Sequence, residues 1–155
     1  MIATAGLVMC LAVVLAATLS PTPIDQGYEG AIARVLSVLH RNGVPDWFGY
    51  RWVEFTANVA MFVPLGFFLS IVFPTRFRWI ALPLIPSVSF ALETLQFFVL
   101  PRRFATVNDV IANTIGGWTG IALAALIVAA VHVRDRRVVE QWRARNLVSV
   151  GEPPA

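Results

Sequence analysis

The chain has 155 residues, of which 57% are hydrophobic and only 14% are charged. A soluble domain of this size usually carries about a quarter charged residues, so this composition indicates a protein whose solvent is lipid. The net charge is +3, and all twelve of the Lys and Arg positions are arginine. The sequence has neither a Cys/His cluster nor a Gly-rich phosphate loop. It therefore predicts no metal site, no nucleotide cofactor and no nucleic-acid partner.

Four apolar segments are long enough to cross a hydrocarbon core of about 30 Å. The first of them lacks the positive residues that begin a signal peptide, which favours a retained span. The connections after the second and third segments are short, so successive helices must run antiparallel. We expect an all-α integral membrane bundle of about four transmembrane helices, forming one domain over residues 1–133. The predicted spans are residues 2–20, 50–73, 79–100 and 107–133.

A short amphipathic segment, residues 30–42, lies between the first two spans. Its apolar residues recur at helical spacing, and arginines lie elsewhere on the helical wheel, which predicts a helix in the membrane interface. Aromatic residues follow, as is typical of a chain that re-enters the headgroup region. The apolar residues are Ile32, Val35, Leu36 and Leu39, and the aromatic residues are Trp47, Phe48, Tyr50 and Trp52.

Residues 134–155 form a basic tail that contains five of the twelve arginines. With the N-terminus in the cytoplasm, seven arginines lie inside and five outside, so the positive-inside rule places both termini in the cytoplasm. The second span then begins at the outer face of the membrane. We expect the final residues, 146–155, to be disordered.

Polar side chains within the spans lie at three helix ends that alternating helices bring to one side of the membrane. Spacings of three or four residues put each pair on one helix face. An ionised carboxylate facing lipid costs several kcal/mol, so these groups should face the interior, be paired or be protonated. They either hold the bundle together or form a ligand site with nearby arginines. The pairs are Glu54 with Asn58, Glu93 with Gln96, and Asp109 with Asn113; the nearby arginines are Arg51, Arg102 and Arg103.

Small residues in the second and fourth spans predict close helix packing. Gly116 and Gly120 form a small-xxx-small pair that lets another backbone approach. Packing within the bundle and a homodimer through this glycine face are both possible. The residues assigned to packing are Pro64, Gly66, Gly116, Gly117 and Gly120.

These residues resemble the VanZ-like family of bacterial membrane proteins. The family's Glu, Asn and Phe-x-Pro-Leu-Gly match Glu54, Asn58 and residues 62–66. Where the family often has Pro-Gly-Arg, this chain has Pro101-Arg102-Arg103, and spacing assigns the family arginine to Arg103. The resemblance implies a multi-pass protein of the bacterial inner membrane, in a family associated with resistance to the glycopeptide teicoplanin. The later family pattern is matched by Glu93, Gln96, Arg103, Asp109, Asn113, Gly116 or Gly117, and Gly120.

Three functions fit this sequence. The first is an outward-facing polar vestibule that binds a lipid headgroup or a lipid-linked cell-wall precursor, with Arg103 pairing an anionic group. The second is an intramembrane enzyme in which Glu93 is the general base and Asp109 or Glu54 its acidic partner. The third is a proton-coupled carrier with Glu54 and Glu93 as a relay, although four helices are few for such a machine.

Overall fold

A computed structural model describes residues 1–20, 27–99 and 106–150, with side chains up to Arg143. These ranges are almost wholly helical and contain no strand. A short 3₁₀ helix, Thr75–Ile80, leads into the fourth α-helix. The α-helices are α1 Ile2–Leu19, α2 Glu29–Arg41, α3 Tyr50–Val72, α4 Ala81–Val99 and α5 Val107–Val150.

Four helical segments are long and apolar enough to cross a membrane, which confirms the predicted all-α membrane bundle. The predicted spans agree with them to within a few residues, except at the end of the fourth. The turn expected after the second span is the 3₁₀ helix, which begins where Phe77 N–H donates to Pro74 O. The segments are Ile2–Leu19, Tyr50–Val72, Thr75–Val99 and Val107–Arg143.

Helix α2 forms where the apolar periodicity predicted a helix. Gly43 ends it with a positive φ of 92°, a conformation that glycine adopts without strain. His40 Nε2 then donates to Phe48 O at 3.0 Å, fixing the turn toward α3. Val35 and Val38 remain exposed on α2. The location of this helix in the membrane interface remains a prediction.

Helices α3 and α5 are parallel and nearly touch along their backbones. A Cβ added to Gly116 would overlap the backbone of Val59, and one added to Gly120 would overlap that of Val63. Val59 lies opposite Gly116 and Val63 lies opposite Gly120, so residue numbers rise in the same direction along both helices, which run parallel. The Gly116/Gly120 face is therefore occupied by α3 of the same chain, and a homodimer through it would require α3 to leave.

The other two spans pack around this pair. Helix α4 runs antiparallel to α5 and lays Ile85 on Gly117, while α1 packs mainly against α3. Apolar side chains from three helices meet in one core cluster, and their burial fixes the relative positions of the spans. The fully buried members of that cluster are Val14, Phe62, Leu65 and Ile85.

Prolines lie inside two spans without ending them. Helix α3 continues past Pro64, whose side chain is exposed, and α4 continues past Pro86. A proline removes the N–H that the carbonyl four residues earlier needs. In α4 that carbonyl belongs to Leu82, and Trp118 Nε1 of α5 donates to it at 2.9 Å. A neighbouring helix thus supplies the missing donor, as membrane helices with internal prolines require.

Helix α5 continues far beyond residue 133, where the apolar span was expected to end. Its 44 residues extend about 66 Å at 1.5 Å per residue, roughly twice the hydrocarbon thickness. The basic tail is thus a helical extension of the span, and the expected disorder is wrong for residues 146–150. Residues 134–150 contain no proline or glycine, so nothing local stops the helix. Residues 151–155 lie outside the described residues.

Candidate functional site

A hydrogen bond joins the polar faces of α3 and α5. Asn58 Nδ2 donates to Asp109 Oδ1 at 2.8 Å, and both side chains are half-buried. An ionised carboxylate only accepts hydrogen bonds, so Asn58 must turn its Nδ2 toward Asp109 and its Oδ1 away. The structure thus brings together two residues that the sequence placed at separate helix ends.

Asp109 is held from its own helix as well. The Thr106 hydroxyl donates to Asp109 Oδ2 at 2.7 Å, and the Asp109 N–H donates back to Thr106 Oγ1 at 3.2 Å. This reciprocal pair is a cap at the start of α5. Sequence analysis missed Thr106, although Thr-x-x-Asp before an apolar run is a recognisable capping signal. Asp109 is fixed in orientation by donors on both of its oxygens.

One face of α4 changes from apolar to polar along its length. Toward its end the buried side chains are Ser89, Glu93 and Gln96, which are 0%, 8% and 6% exposed. Toward its start, the same face buries Ala81 and Ile85. Spacings of three and four residues place all of these on a single stripe. The polar end of the stripe therefore faces the other helices rather than lipid.

Asn113 of α5 meets this stripe one turn below Asp109. Its Nδ2 donates to Ser89 Oγ at 3.0 Å, and the side chain is only 5% exposed. Glu93 lies one turn after Ser89 on α4, and Asp109 lies one turn before Asn113 on α5. Because the two helices are antiparallel, both turns lead toward the same surface. Glu93 and Asp109 are therefore at about the same level, roughly 6 Å above the Asn113–Ser89 pair. The partner Ser89 was also missed, although it lies one turn from Glu93 on the same face.

Gln96 serves a different contact from the one expected. Its Nε2 donates to Thr18 O of α1 at 2.5 Å, in a buried position. Thr18 lies in the last turn of α1, where carbonyls have no helical partner. Gln96 therefore ties the end of α1 to α4 rather than joining the Asn58–Asp109 bond. A backbone acceptor leaves no mark in the sequence, so this contact could not be predicted.

The remaining expected residues fall at the edge of the site or outside it. Glu54 lies one turn from Asn58 toward the start of α3 and is exposed, as is Arg51. Arg102 and Arg103 lie outside the described residues. We call the half of the bundle that contains the polar side chains the polar half, and the half in which glycines bring α3, α4 and α5 together the glycine half. The polar half holds Glu54, Asn58, Ser89, Glu93, Gln96, Asp109 and Asn113, and the glycine half holds Val63, Gly66, Ile85, Gly117 and Gly120.

The order of these residues along the chain matches one protein family. The sequence profile of the VanZ/LLP1 family matches residues 5–128, which include the whole polar half and most of the chain. The chain belongs to the VanZ/LLP1 family. This match confirms the VanZ-like family assignment that the sequence motifs predicted. Neither the curated proteins nor the solved structures contain a match to it.

The described part of the polar half of this VanZ-family protein offers mainly amides and carboxyl groups. The hydroxyls of Thr56, Ser87 and Thr94 donate to carbonyls of their own helices on exposed faces. Ser89 is enclosed and accepts from Asn113. Among the described residues, no His/Cys/Asp/Glu cluster could hold a metal ion. Such a group of side chains is suited to hydrogen bonding.

Proposed function

We propose that this VanZ-family protein binds the headgroup of a membrane lipid or a lipid-linked envelope component in its polar half. The observation that carries the proposal is the concentration of buried polar side chains there. Glu93, Gln96 and Asn113 are each less than a tenth exposed and lie within about a turn of the Asn58–Asp109 bond. Polar groups inside a membrane are expensive to bury and are commonly retained for function. Apolar lipid-facing helices beside them would accept the acyl chains.

The basic extension of α5 supports an outward-facing site. The polar half lies at the start of α5, whereas Arg134, Arg136, Arg137 and Arg143 follow the opposite end of the same span. The positive-inside rule assigns this arginine-rich end to the cytoplasm. The polar half then opens toward the outer face of the bacterial inner membrane. Envelope precursors are exposed on that face, which would also accommodate a role in teicoplanin resistance.

Arg103 is proposed to pair the anionic group of the ligand. It precedes Asp109 by six residues in the sequence, which is the spacing on which this assignment rests. A guanidinium binds phosphate through two parallel hydrogen bonds, which suits the phosphate of a lipid headgroup. The carboxylates and amides would then contact other parts of the headgroup.

Native mass spectrometry of protein released from its own membrane tests the proposal. The wild-type protein should retain lipid, and Arg103→Ala should retain far less at equal expression. Arg76→Ala is the matched control, because it removes the same charge near the opposite surface, at the start of the 3₁₀ helix. Equal amounts of bound lipid in Arg103→Ala and wild type would contradict the proposal.

An intramembrane enzyme is the second candidate, and the burial of Glu93 favours it. A carboxyl group 8% exposed and one turn from Ser89 is placed to accept a proton from a bound lipid or its attacking group. Turnover of the co-purified lipid, followed by mass spectrometry, should then be lost in Glu93→Gln. Turnover that survives this substitution would exclude Glu93 as the general base.

A further inference from the structure

The two asparagines of the polar half are oriented in the same way. Asn58 uses Nδ2 to bind Asp109, and Asn113 uses Nδ2 to bind Ser89. In each side chain the amide nitrogen is engaged, and the carbonyl oxygen points away from that partner. Among the described residues, Asn113 Oδ1 has no hydrogen-bond partner. For Asn58 this orientation follows from its partner, because a carboxylate oxygen accepts hydrogen bonds.

The deeper of these acceptors is enclosed. Asn113 is 5% exposed, and its Oδ1 has no contact with solvent and no hydrogen-bond partner among the described residues. Buried polar atoms in folded proteins nearly always have a partner, so an exception calls for an explanation. A donor that arrives with a ligand would supply the missing hydrogen bond. This oxygen is the observation that points to a ligand rather than to helix packing alone.

The surrounding side chains add acceptors. Asp109 lies one turn above Asn113 on α5, and Glu93 lies at about the level of Asp109 on α4. Glu54 follows at the rim, one turn toward the start of α3. Ionised carboxylates accept hydrogen bonds and cannot donate them. The described part of the polar half thus holds three carboxyl groups beside the two amide oxygens, and the complement of those amide oxygens is a group that donates.

We infer that the polar half recognises its lipid through hydrogen-bond donors on the headgroup, a primary ammonium or hydroxyls, that reach Asn58 Oδ1 and Asn113 Oδ1. The inference rests on the proposed function and narrows it. Phosphate is common to all glycerophospholipids and would not distinguish among them, whereas headgroup donors do. A primary ammonium fits best because it offers three N–H donors, which is enough to serve both amide oxygens.

Access to Asn113 requires movement at the end of α4. Helix α4 packs mainly against α5 and touches α1 little. Gln96 donates to Thr18 O across this narrow contact. Separation of α1 from α4 would break that hydrogen bond and open the polar stripe of α4 to the outer half of the bilayer. A lipid headgroup could then enter from the side.

Native mass spectrometry with delipidated full-length protein tests the inference. The protein is titrated with phosphatidylethanolamine, phosphatidylglycerol and phosphatidylcholine that carry the same acyl chains. The first offers ammonium N–H donors, the second offers hydroxyls, and the third offers no headgroup donor. Hydrogen bonds to charged groups predict retention of phosphatidylethanolamine over phosphatidylcholine by about tenfold. Preference for phosphatidylglycerol over phosphatidylcholine would support hydroxyls as the source of the donors.

Substitution of Asn113, which carries the enclosed acceptor Oδ1, tests whether the lipid preference arises at this residue. Asn113→Leu should abolish the preference for phosphatidylethanolamine over phosphatidylcholine, so that the two lipids are retained equally, while some lipid remains bound. The control, Thr119→Ala, lies on the exposed face of α5 and should keep the full preference. Equal retention of all three lipids by the wild type would overturn the inference and would leave the proposed function standing. If no lipid is retained, the proposed function fails as well.

Discussion

The two halves of the bundle bury their helices by different means. In the glycine half, Gly66, Gly117 and Gly120 bring backbones together, and a Cβ at any of them would overlap a neighbouring helix. In the polar half, the helices are held by side-chain hydrogen bonds such as those of Asn58 and Gln96. Close packing cannot be altered without distorting a backbone, whereas a hydrogen bond can be broken and reformed. The comparison teaches that close backbone packing and side-chain hydrogen bonding are placed at opposite ends of the same helices.

The largest expected effect comes from overpacking the glycine half. Gly120→Val places branched carbon atoms against the backbone of Val63 and Phe67. Overpacking of a membrane or soluble core costs about 1–3 kcal/mol and sometimes more, and backbone overlap belongs at the upper end. We expect a large drop in the thermal midpoint of the purified protein and loss of its monodisperse peak in size exclusion. Ala122→Val, on an exposed face of α5, should change neither; an unchanged midpoint in Gly120→Val would contradict the close packing.

A smaller loss of stability is expected on removal of the Trp118 indole N–H, which donates to the carbonyl that Pro86 cannot serve. Trp118→Phe leaves the carbonyl of Leu82, on the exposed surface of the bundle, without a partner in the hydrocarbon, and an unsatisfied group there costs about 1–3 kcal/mol. Pro86→Ala restores a backbone N–H to that carbonyl, so Trp118→Phe should cost much less in the Pro86→Ala background. Unfolding of the four proteins in a double-mutant cycle measures the coupling. Equal costs in both backgrounds would show that the indole does not serve this carbonyl.

The smallest expected change in stability comes from the polar half. Gln96→Leu removes the hydrogen bond to Thr18 O, and interhelical hydrogen bonds in membranes average about 0.6 kcal/mol. The free energy of global unfolding should barely change. Hydrogen exchange of the backbone amides in the last turn of α1 should rise, because this turn is no longer tied to α4 through the Thr18 carbonyl. Thr94→Val, which alters an exposed side chain nearby, should leave exchange at α1 as it is. A global destabilisation as large as that of Gly120→Val would erase the difference between the two halves.

The sequence predicted the spans well because membrane helices must be long and apolar. It also placed Asn58 and Asp109 on one side of the membrane, because antiparallel threading leaves little choice. It did not predict where α5 ends, since hydrophobicity marks the end of a span and not the end of a helix. The contact of Gln96 with the carbonyl of Thr18 could not be predicted from the sequence, because every residue carries a backbone carbonyl and no residue type marks this one. Thr106, in contrast, carried a capping signal that could have been read.

Cysteine cross-linking in native membranes tests the central claim most directly, which is that α3 and α5 run parallel and meet in the polar half. Cys10, the single native cysteine, is first replaced by alanine. The account predicts that Asn58→Cys with Asp109→Cys forms a cross-link with a short bifunctional reagent, because the native side chains hydrogen-bond at 2.8 Å. Val72→Cys with Asp109→Cys should not, since Val72 lies at the far end of α3. Efficient cross-linking of the second pair and none of the first would contradict the account.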